Sequence, residues 1–220
     1  MHEDGEDKNE QPHNESLSNI NPGGENRTVS FFSFLFDLVK TFVVVMLIAF
    51  AIRYFVIQPF VVDGDSMMPT FVNNEYLIAE KISYDFTQPH RGDVVIFRYP
   101  KSPSVIYIKR VIGLPGEVVD IKDGKVYIAD SVNGNPTLLS ESYLSSSVKT
   151  NIFDTSSQEQ EFKTALKDNE FFVLGDNRDH SSDSREWGVL PRANIIGRVW
   201  MTITPVDHFK LWSKQDYGTN

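Results

Sequence analysis

The stretch Val118-Val119-Asp120-Ile121-Lys122-Asp123-Gly124-Lys125-Val126-Tyr127-Ile128 predicts a β-hairpin. Two apolar, β-branched runs flank Asp123-Gly124, and the favoured two-residue hairpin turn requires positive φ at both central residues, which this pair tolerates. The same pattern continues outside the hairpin. After Gln58-Pro59, short runs of Val, Ile, Phe and Tyr alternate with turn residues, as in β domains. The predicted strands are residues 60–63, 76–82, 93–99, 105–112, 117–121, 125–129, 171–174 and 195–203.

The predicted fold class of residues 59–220 is therefore mainly β, with antiparallel sheets or a barrel-like arrangement. Within this domain, residues 130–170 are rich in Ser, Thr and Asn and are predicted to form an excursion from the core. In the excursion, Asn133-Gly134 indicates a second turn. Residues 158–167 predict a short helix, for which Ser156 or Ser157 would supply the N-cap.

Residues 31–58 predict one N-terminal transmembrane helix. Their centre, from Thr41 to Ile52, carries no charge, and a bilayer core needs about 20 mostly apolar residues. Lys40 and Arg53 flank this centre and can reach the two interfaces, but this balance of basic residues does not set the orientation. A buried helix of a soluble domain fits less well because the run has no polar face. A cleaved secretory signal is disfavoured because the preceding residues are acidic.

Residues 1–30 predict a disordered acidic tail. Residues 1–28 contain seven acidic and two basic residues, a net charge of −5 out of −9 for the chain, and too few apolar residues to offset the entropy of ordering. A docking role for this tail is the alternative. The acidic balance argues against nucleic-acid binding through phosphates. The absence of cysteine excludes disulfides, a thiolate nucleophile and thiolate zinc sites.

A candidate nucleophile, Ser66, lies in the stretch Gly64-Asp65-Ser66-Met67-Met68-Pro69-Thr70, directly after the first predicted strand. A turn with glycine and proline can expose a hydroxyl and direct backbone N–H groups toward it. A serine hydroxyl is a weak nucleophile until a base removes its proton. The stretch therefore predicts a reactive serine if the chain supplies a base.

The candidate bases are His180, which lies in a polar motif, and Lys109. For His180 the sequence marks no carboxylate partner of the kind that a Ser-His-Asp triad requires. Strand alternation places Lys109 and Arg110 on opposite faces, so one of two adjacent cations points toward a mostly apolar side. Burial lowers the pKa of an amine, and a neutral lysine near pH 7 is a competent general base. An exposed lysine on an edge strand is the alternative, and the strand alone does not decide.

The polar motif is Gly175-Asp176-Asn177-Arg178-Asp179-His180-Ser181-Ser182-Asp183-Ser184-Arg185-Glu186-Trp187-Gly188. Its Asp and Asn residues next to glycine favour tight turns fixed by side-chain-to-backbone bonds. A solvated turn and a calcium-type loop are the alternatives. The carboxylates alternate with Arg178 and Arg185, so ion pairs are a better interpretation than a cation cage. Such a loop can hold a hydroxyl rigidly near an amine.

Four stretches together resemble the bacterial type I signal peptidases (leader peptidases), serine proteases with a Ser-Lys dyad. They stand in the family's order after an N-terminal membrane segment, and the resemblance covers residues 36–205. One such motif is weakly specific, whereas four in order are highly specific. The stretches are Ser66-Met67-Met68-Pro69-Thr70, Arg91-Gly92-Asp93-Val94-Val95-Ile96-Phe97, Tyr107-Ile108-Lys109-Arg110-Val111-Ile112-Gly113-Leu114-Pro115-Gly116, and residues 175–188.

The resemblance implies a signal-peptidase-like β fold and a single-pass endopeptidase of the bacterial cytoplasmic membrane. The catalytic domain, residues 59–220, would lie on the extracytoplasmic side. Its partners would be exported preproteins and the lipid bilayer, with no nucleic acid, metal or other cofactor. It would remove signal peptides after small residues, in the pattern Ala-x-Ala, and the substrate would bind as an added extended strand.

By position in these motifs, the resemblance implies Ser66 as nucleophile, Lys109 as general base and Ser181 as the hydrogen-bond partner that orients the lysine amine. Tyr107 would shield the lysine. Two ion pairs would brace the loop, Asp176 with Arg110 and Asp183 with Arg185. The pockets for small substrate side chains would be lined by Val62, Met67, Phe71, Tyr107 and Ile108.

One position departs from part of the family. Some members carry a serine two residues before the nucleophile, whose hydroxyl contributes to the oxyanion hole, whereas this chain has Gly64 there, as other members do. The hole would then rest on the Ser66 N–H and a neighbouring group. Loss of one such donor costs on the order of 10²-fold in rate.

Two rival functions remain open at this point. The first is a membrane-anchored β module that binds partners without catalysis, which would not require Ser66, Lys109 and Ser181 together. The second is a cytosolic Ser-Lys autoprotease of the repressor type. That protein would need a DNA-binding helical domain where this chain has an acidic tail and an apolar helix.

Overall fold

The computed structural model describes residues 26–51, 53, 57–152, 161–204 and 209–212, with the backbone alone for residues 26–30. The chain divides into two compact units, Met1–Leu47 and Ile48–Asn220. Most of the predicted tail, residues 1–25, lies outside the described residues. The N-cap predicted at Ser156 or Ser157 lies outside them as well.

Helix α1 spans Asn26–Ala51. In the described part of the chain, its segment Phe31–Ala51 alone is long and apolar enough to cross a bilayer, and none of that segment is buried. The helix begins at Asn26, so it includes the last five residues of the predicted tail. At the other end, Ile57 and Gln58 pair with Glu80 and Ala79 in a sheet, and the helical segment is therefore shorter than the predicted 31–58.

Twelve strands, two short α-helices and one 3₁₀ helix (Arg192–Asn194) follow in the described residues of the second unit. The strands are β1 (Ile57–Val61), β2 (Tyr76–Glu80), β3 (Val94–Tyr99), β4 (Ser102–Gly113), β5 (Val118–Lys122), β6 (Lys125–Ala129), β7 (Thr137–Leu138), β8 (Glu161–Ala165), β9 (Glu170–Leu174), β10 (Leu190–Pro191), β11 (Ile195–Thr204) and β12 (Lys210–Leu211). The helices are α2 (Ser83–Phe86) and α3 (Ser184–Trp187).

The strands form two sheets in which every recorded pair is antiparallel. The large sheet has the order β1-β2-β11-β3-β4-β9-β10, with β12 paired to β11, and the small sheet has the order β7-β6-β5-β8. This arrangement confirms the predicted mainly antiparallel β fold with one N-terminal apolar helix. All eight predicted strands are present, and the sequence analysis missed β7, β8, β10 and β12.

The excursion of residues 130–170 supplies two strands of the small sheet. The helix predicted over residues 158–167 is wrong where the structure describes it, because Glu161–Ala165 pairs with β5 instead. This strand exposes alternate residues, and Phe162 packs against Phe172 with ring centroids 5.6 Å apart. Period-two packing and strand pairing therefore outweigh the local helical propensity of this segment.

Three groups of buried apolar side chains form the core. One surrounds Phe97 and Phe171 on the large sheet, and a second surrounds Phe71 and Ile96. The third joins residues of both sheets, such as Ile112, Val119 and Phe172. Strand β4 lies between β3 and β9, inside the large sheet. The second half of β4, from Lys109 to Gly113, is buried, so Lys109 and Arg110 are enclosed within the domain.

Candidate active site

Ser66 and Lys109 are in direct contact although 43 residues separate them in the chain. The Lys109 Nζ and Ser66 Oγ atoms lie 2.8 Å apart, within hydrogen-bond distance. The same amine donates a hydrogen bond to the carbonyl oxygen of Ile108 at 2.9 Å. The structure therefore brings together the two residues that the resemblance implies as nucleophile and base.

The turn after β1 sets the position of Ser66. Gly64 adopts φ of 98°, in the left-handed region that residues with a Cβ rarely occupy. Its N–H donates to Asn73 Oδ1 at 3.0 Å, and the Met68 N–H donates to the Asp65 carbonyl at 3.0 Å. Glycine at this position therefore allows the backbone to turn toward Ser66 without steric strain.

The polar motif holds this turn from the other side. The Asn177 N–H donates to the Ser66 carbonyl oxygen at 3.1 Å, and Asn177 Nδ2 donates to the Asp65 carbonyl at 3.1 Å. A Cβ on Gly175 would collide with the Ser66 carbonyl oxygen and with the side chain of Ser181. The absence of a side chain at Gly175 therefore permits the close approach of the two segments.

Lys109 is 3% exposed on β4, where it pairs with Val95 of β3. The interpretation of Lys109 as an exposed lysine on an edge strand is thus wrong. Burial lowers the pKa of Lys109 to about 8, while the negative charges of Asp183 and Asp176 oppose this change. Roughly a tenth of the amine is then neutral at pH 7. The Tyr107 ring centroid lies 5.2 Å from the amine, so the ring covers it on one side.

Asp176 connects the polar motif to β4 and to the segment that carries Ser66. Arg110 donates to both of its carboxylate oxygens, with Nε to Oδ1 at 2.8 Å and Nη2 to Oδ2 at 2.5 Å. The Thr70 hydroxyl also donates to Oδ2, at 2.5 Å. Such paired, charge-assisted bonds fix orientation as well as distance. Asp176 therefore links three segments directly beside the Ser66–Lys109 contact.

The second implied ion pair, Asp183 with Arg185, is also present. The Arg185 Nε donates to Asp183 Oδ1 and its Nη2 donates to Oδ2, both at 2.8 Å. Asp183 caps α3 by accepting from the Arg185 N–H, and it accepts from the Gly175 N–H at 3.1 Å. This pair thus fixes the fold of the polar motif around Gly175.

Ser181 is buried, and within the described residues its Oγ has no hydrogen-bond partner. The bond from Ser181 to Lys109 that the resemblance implies is therefore not made in this structure. The recorded partners of the Lys109 amine are instead Ser66 Oγ and the Ile108 carbonyl.

A cleft of about 370 Å³ opens beside the Ser66–Lys109 contact. Of the five residues predicted to line substrate pockets, Val62, Tyr107 and Ile108 line this cleft. Met67 and Phe71 do not, because they are 1% and 0% exposed and pack in the second core group. Gly64, predicted as a supporting residue of the site, lines the cleft as well. The sequence analysis did not predict the remaining cleft residues, which are Phe60, Val61, Asp63, Asp65, Leu77, Ile96, Ile106, His180 and Ser182.

The geometry does not support a solvated turn, because most residues of the polar motif are buried, and it does not support His180 as the base or a calcium-type loop. His180 is exposed at the edge of the cleft, whereas the hydroxyl of Ser66 is held by Lys109. The carboxylates of Asp176 and Asp183 are bound by arginines. No group of carboxylates or histidines in the described residues is arranged to hold a metal ion.

Three residues with a clear place in the site were missed from the sequence. Gly175 opens the polar motif, and its position between a buried strand and an Asp-Asn pair could have marked it as a close approach. Asn177 carried a weaker signal as a turn residue. The contact of Thr70 with Asp176 spans 106 residues, and no local pattern indicates it.

Comparison with known proteins gives one consistent result. The model of the family described as signal peptidase, peptidase S26, matches residues 35–204. A signal peptidase I of Leptolyngbya laminosa is 39% identical over 180 residues, covering 79% of this chain and 81% of that protein. A probable signal peptidase I-1 of Synechocystis is 33% identical over 183 residues, covering 80% and 86%. A crystal structure of a signal peptidase I from Enterococcus faecalis V583 is 34% identical, with a TM-score of 0.40 over 51% of this chain and 97% of that one.

Proposed function

The chain belongs to the signal peptidase I family, peptidase S26, and from this premise we propose that it is a membrane-bound endopeptidase with a Ser-Lys dyad. Ser66 is the nucleophile and Lys109 is the general base. The observation that carries the proposal is the 2.8 Å separation of Lys109 Nζ and Ser66 Oγ. A buried amine in contact with one hydroxyl is the arrangement that activates a serine without histidine.

In the proposed reaction, neutral Lys109 accepts the Ser66 proton as Ser66 Oγ attacks the scissile carbonyl. The tetrahedral intermediate collapses to an acyl-enzyme, and protonated Lys109 gives its proton to the leaving amine. Lys109, neutral again, then accepts a proton from the water that attacks the ester. It returns this proton to Ser66 Oγ as the ester C–O bond breaks, and the new carboxylic acid leaves and ionises. The Ser66 N–H is the proposed oxyanion donor, since Gly64 has no hydroxyl to contribute.

The cleft supports a preference for small substrate side chains. Its walls include Val62, Leu77 and Ile108, which leave a shallow apolar space beside Ser66. Strand β1 pairs with β2 on one side and is the first strand of the large sheet, so an extended peptide can add along its other edge. We therefore assign alanine-sized residues to the positions one and three before the cut, and exported preproteins as substrates.

Cleavage of a preprotein tests this function directly. Purified full-length protein in detergent should remove the signal peptide from a preprotein with Ala-x-Ala before the cut, and mass spectrometry should place the cut after the second alanine. Ser66→Ala should reduce cleavage to background, because no other hydroxyl contacts Lys109 Nζ among the recorded bonds of the described residues. A preprotein with bulky residues at both positions is the substrate control. Equal cleavage by Ser66→Ala would refute the dyad, and no cleavage by the wild type would favour the non-catalytic binding module.

We also assign α1 as the membrane anchor, with the β domain on the extracytoplasmic side of a bacterial cytoplasmic membrane. The exposed apolar segment Phe31–Ala51 has the length and composition of a membrane-spanning helix. The protein should sediment with membranes and resist alkaline carbonate, and protease added outside spheroplasts should degrade its β domain. Release into the carbonate supernatant would contradict anchoring, and protection from external protease would contradict the orientation.

A further inference from the structure

Residues 139–152, here called the bracing segment, run from the small sheet to the back of the candidate active site. Its two ends are fixed on the β5–β6 hairpin, because the Leu139 N–H donates to the Val126 carbonyl at 2.9 Å and the Thr150 N–H donates to the Gly124 carbonyl at 2.8 Å. The apolar side chains at its ends also pack against the third core group. The bracing segment is therefore tied to a rigid hairpin.

The first contact of the bracing segment with the site is an ion pair at Arg178. This arginine is 1% exposed. Glu141 accepts from Arg178 Nη1 at 3.1 Å and from Nη2 at 2.5 Å, and the Tyr143 hydroxyl accepts from Nη2 at 3.0 Å. The Thr150 hydroxyl accepts from Nη1 as well. Arg178 directly follows Asn177, whose backbone and side chain hold the turn at Ser66.

The second contact is made by the ring of Tyr143. Its centroid lies 4.1 Å from the guanidinium carbon of Arg110, the distance of a cation–π contact. Arg110 in turn binds both carboxylate oxygens of Asp176. The Tyr143 hydroxyl donates to Glu141 Oε1 at 2.7 Å. The two side chains therefore act together on the arginines Arg110 and Arg178.

A third contact joins the end of the bracing segment to the polar motif. Arg185 Nη1 donates to the Asn151 carbonyl oxygen at 2.8 Å, and Arg185 also binds Asp183. Three buried arginines that order the surroundings of Ser66 and Lys109 thus each bind the bracing segment. A surface excursion without a role in the site would not account for three such contacts.

We propose that Glu141 and Tyr143 are positioning residues that hold the Ser66–Lys109 pair in place through Arg178 and Arg110. The inference deepens the proposed peptidase function, on which its kinetic consequences rest. Removal of the Tyr143 ring frees one face of Arg110 and loosens Asp176, to which the segment of Ser66 is bound through Thr70. Neutralising Glu141 removes the carboxylate that is hydrogen-bonded to buried Arg178, and so displaces Asn177 and the turn at Ser66.

The expected effect is kinetic and falls on turnover. A displacement of reacting groups by 1 Å costs on the order of 10²-fold in rate. Tyr143→Leu and Glu141→Gln should therefore lower kcat by about 10- to 100-fold at nearly constant KM. Tyr143→Phe keeps the ring over Arg110 and should retain most of the activity. Ser147→Ala is the matched control, because Ser147 is exposed on the same segment and its hydroxyl bonds to that of Ser145.

A second measurement does not depend on cleavage. Competitive acetylation of full-length protein in detergent, followed by mass spectrometry, gives the pKa of Lys109 in the Ser66→Ala background. The groups that act on this amine are Asp183 and Asp176, besides its own burial, and the ring of Tyr107. A loosened site admits water, so Tyr143→Leu and Glu141→Gln should raise the pKa of Lys109 toward its ordinary value. Ser147→Ala should leave it unchanged, and Tyr143→Phe, which keeps the ring over Arg110 but loses the hydroxyl bonded to Arg178 and Glu141, should raise it less than Tyr143→Leu.

The outcomes separate this inference from the proposed function. If Tyr143→Leu and Glu141→Gln show wild-type kcat and an unchanged Lys109 pKa, the positioning role is refuted. Loss of activity in proportion to lost thermal stability, with an unchanged pKa, also refutes it, because the effect is then structural only. If the wild type cleaves no preprotein while both variants raise the pKa of Lys109, the proposed function fails and the positioning of the pair stands.

Discussion

Lys109→Met is expected to lower kcat/KM for preprotein cleavage by on the order of 10³-fold or more, because a positioned general base contributes about 10²- to 10⁴-fold. Among the recorded bonds of the described residues, Ser66 has no other base in contact with it. Methionine is unbranched and similar in length to the aliphatic part of lysine, so it can occupy the space of the buried Lys109 side chain. The measurement is steady-state cleavage of the Ala-x-Ala preprotein. Lys101→Met, at an exposed position, is the matched control and should cleave normally.

The pH dependence of the wild type belongs to the same prediction. Only neutral Lys109 can accept the Ser66 proton, and burial lowers the pKa of this amine to about 8. The value of kcat/KM should therefore rise about tenfold per pH unit below pH 8 and level off above it. The residual rate of Lys109→Met should lack this rise. A wild-type profile that is flat from pH 6 to pH 9 would contradict the assignment of Lys109 as base.

The stability of Lys109→Met should move in the opposite direction to its activity. The folded state lowers the pKa of Lys109 from 10.5 to about 8, so folding is opposed by protonation of this lysine. This penalty is fully present below pH 8 and disappears as the pH rises through the unfolded-state value. Lys109→Met should thus have an equal or higher Tm than the wild type at pH 7, and the difference should shrink as the pH rises from about 8 to 10.5. A lower Tm at pH 7 would show that the lysine stabilises the fold.

Gly175→Ala is expected to lower kcat by about 10²-fold, since a misplacement of about 1 Å has a cost of this order. The added methyl would stand within 3.0 Å of the Ser66 carbonyl oxygen and of Ser181 Oγ and Cβ, closer than real Cβ atoms approach such neighbours. Backbone and side chain must therefore move apart at the point where the polar motif meets Ser66. Steady-state cleavage kinetics should show the loss in kcat. We also expect a loss of about 1–3 kcal/mol in the free energy of unfolding, as for other overpacked sites.

Gly113→Ala provides the control for overpacking without misplacement of the site. A Cβ at Gly113 would meet Val119, Leu166 and Phe172 between the two sheets, so this variant should lose stability of similar size. Its kcat per folded molecule should stay close to that of the wild type. If both variants lose activity equally, the effect of Gly175→Ala comes from destabilisation alone. If Gly175→Ala keeps full kcat, the close approach at Ser66 is not required.

The strands of the fold were predictable because their signals are local. Asp123 and Gly124 adopt positive φ of 53° and 73°, as the hairpin between Val118 and Ile128 requires. The sequence analysis predicts Glu161–Ala165 as part of a helix. Its pairing partner, β5, lies about 40 residues earlier in the sequence, and the propensity of a single segment does not contain such a non-local contact. Pairing with β5 in the folded domain, rather than local propensity, makes this segment a strand.

The site was predictable only in part, for the same reason. Ser66 and Lys109 could be assigned from the order of four motifs, whereas strand alternation alone left Lys109 undecided between burial and exposure. The shared core explains why Met67 and Phe71 do not reach the cleft, since both fill space beneath it. The contacts of Thr70 and Tyr143 with the charged pair Arg110–Asp176 join distant segments. Such contacts form only when distant segments pack together, so no periodic pattern in the sequence indicates them.

The enclosure of Lys109 inside the large sheet affects the newly synthesised chain, because this enclosure exists only after the domain has folded. Before β3 and β9 close around β4, the amine is hydrated and binds its proton as any free lysine does, while its serine partner belongs to a separate loop. Under the proposed mechanism the nascent polypeptide is therefore latent, and maturation of the sheet itself switches on proteolysis.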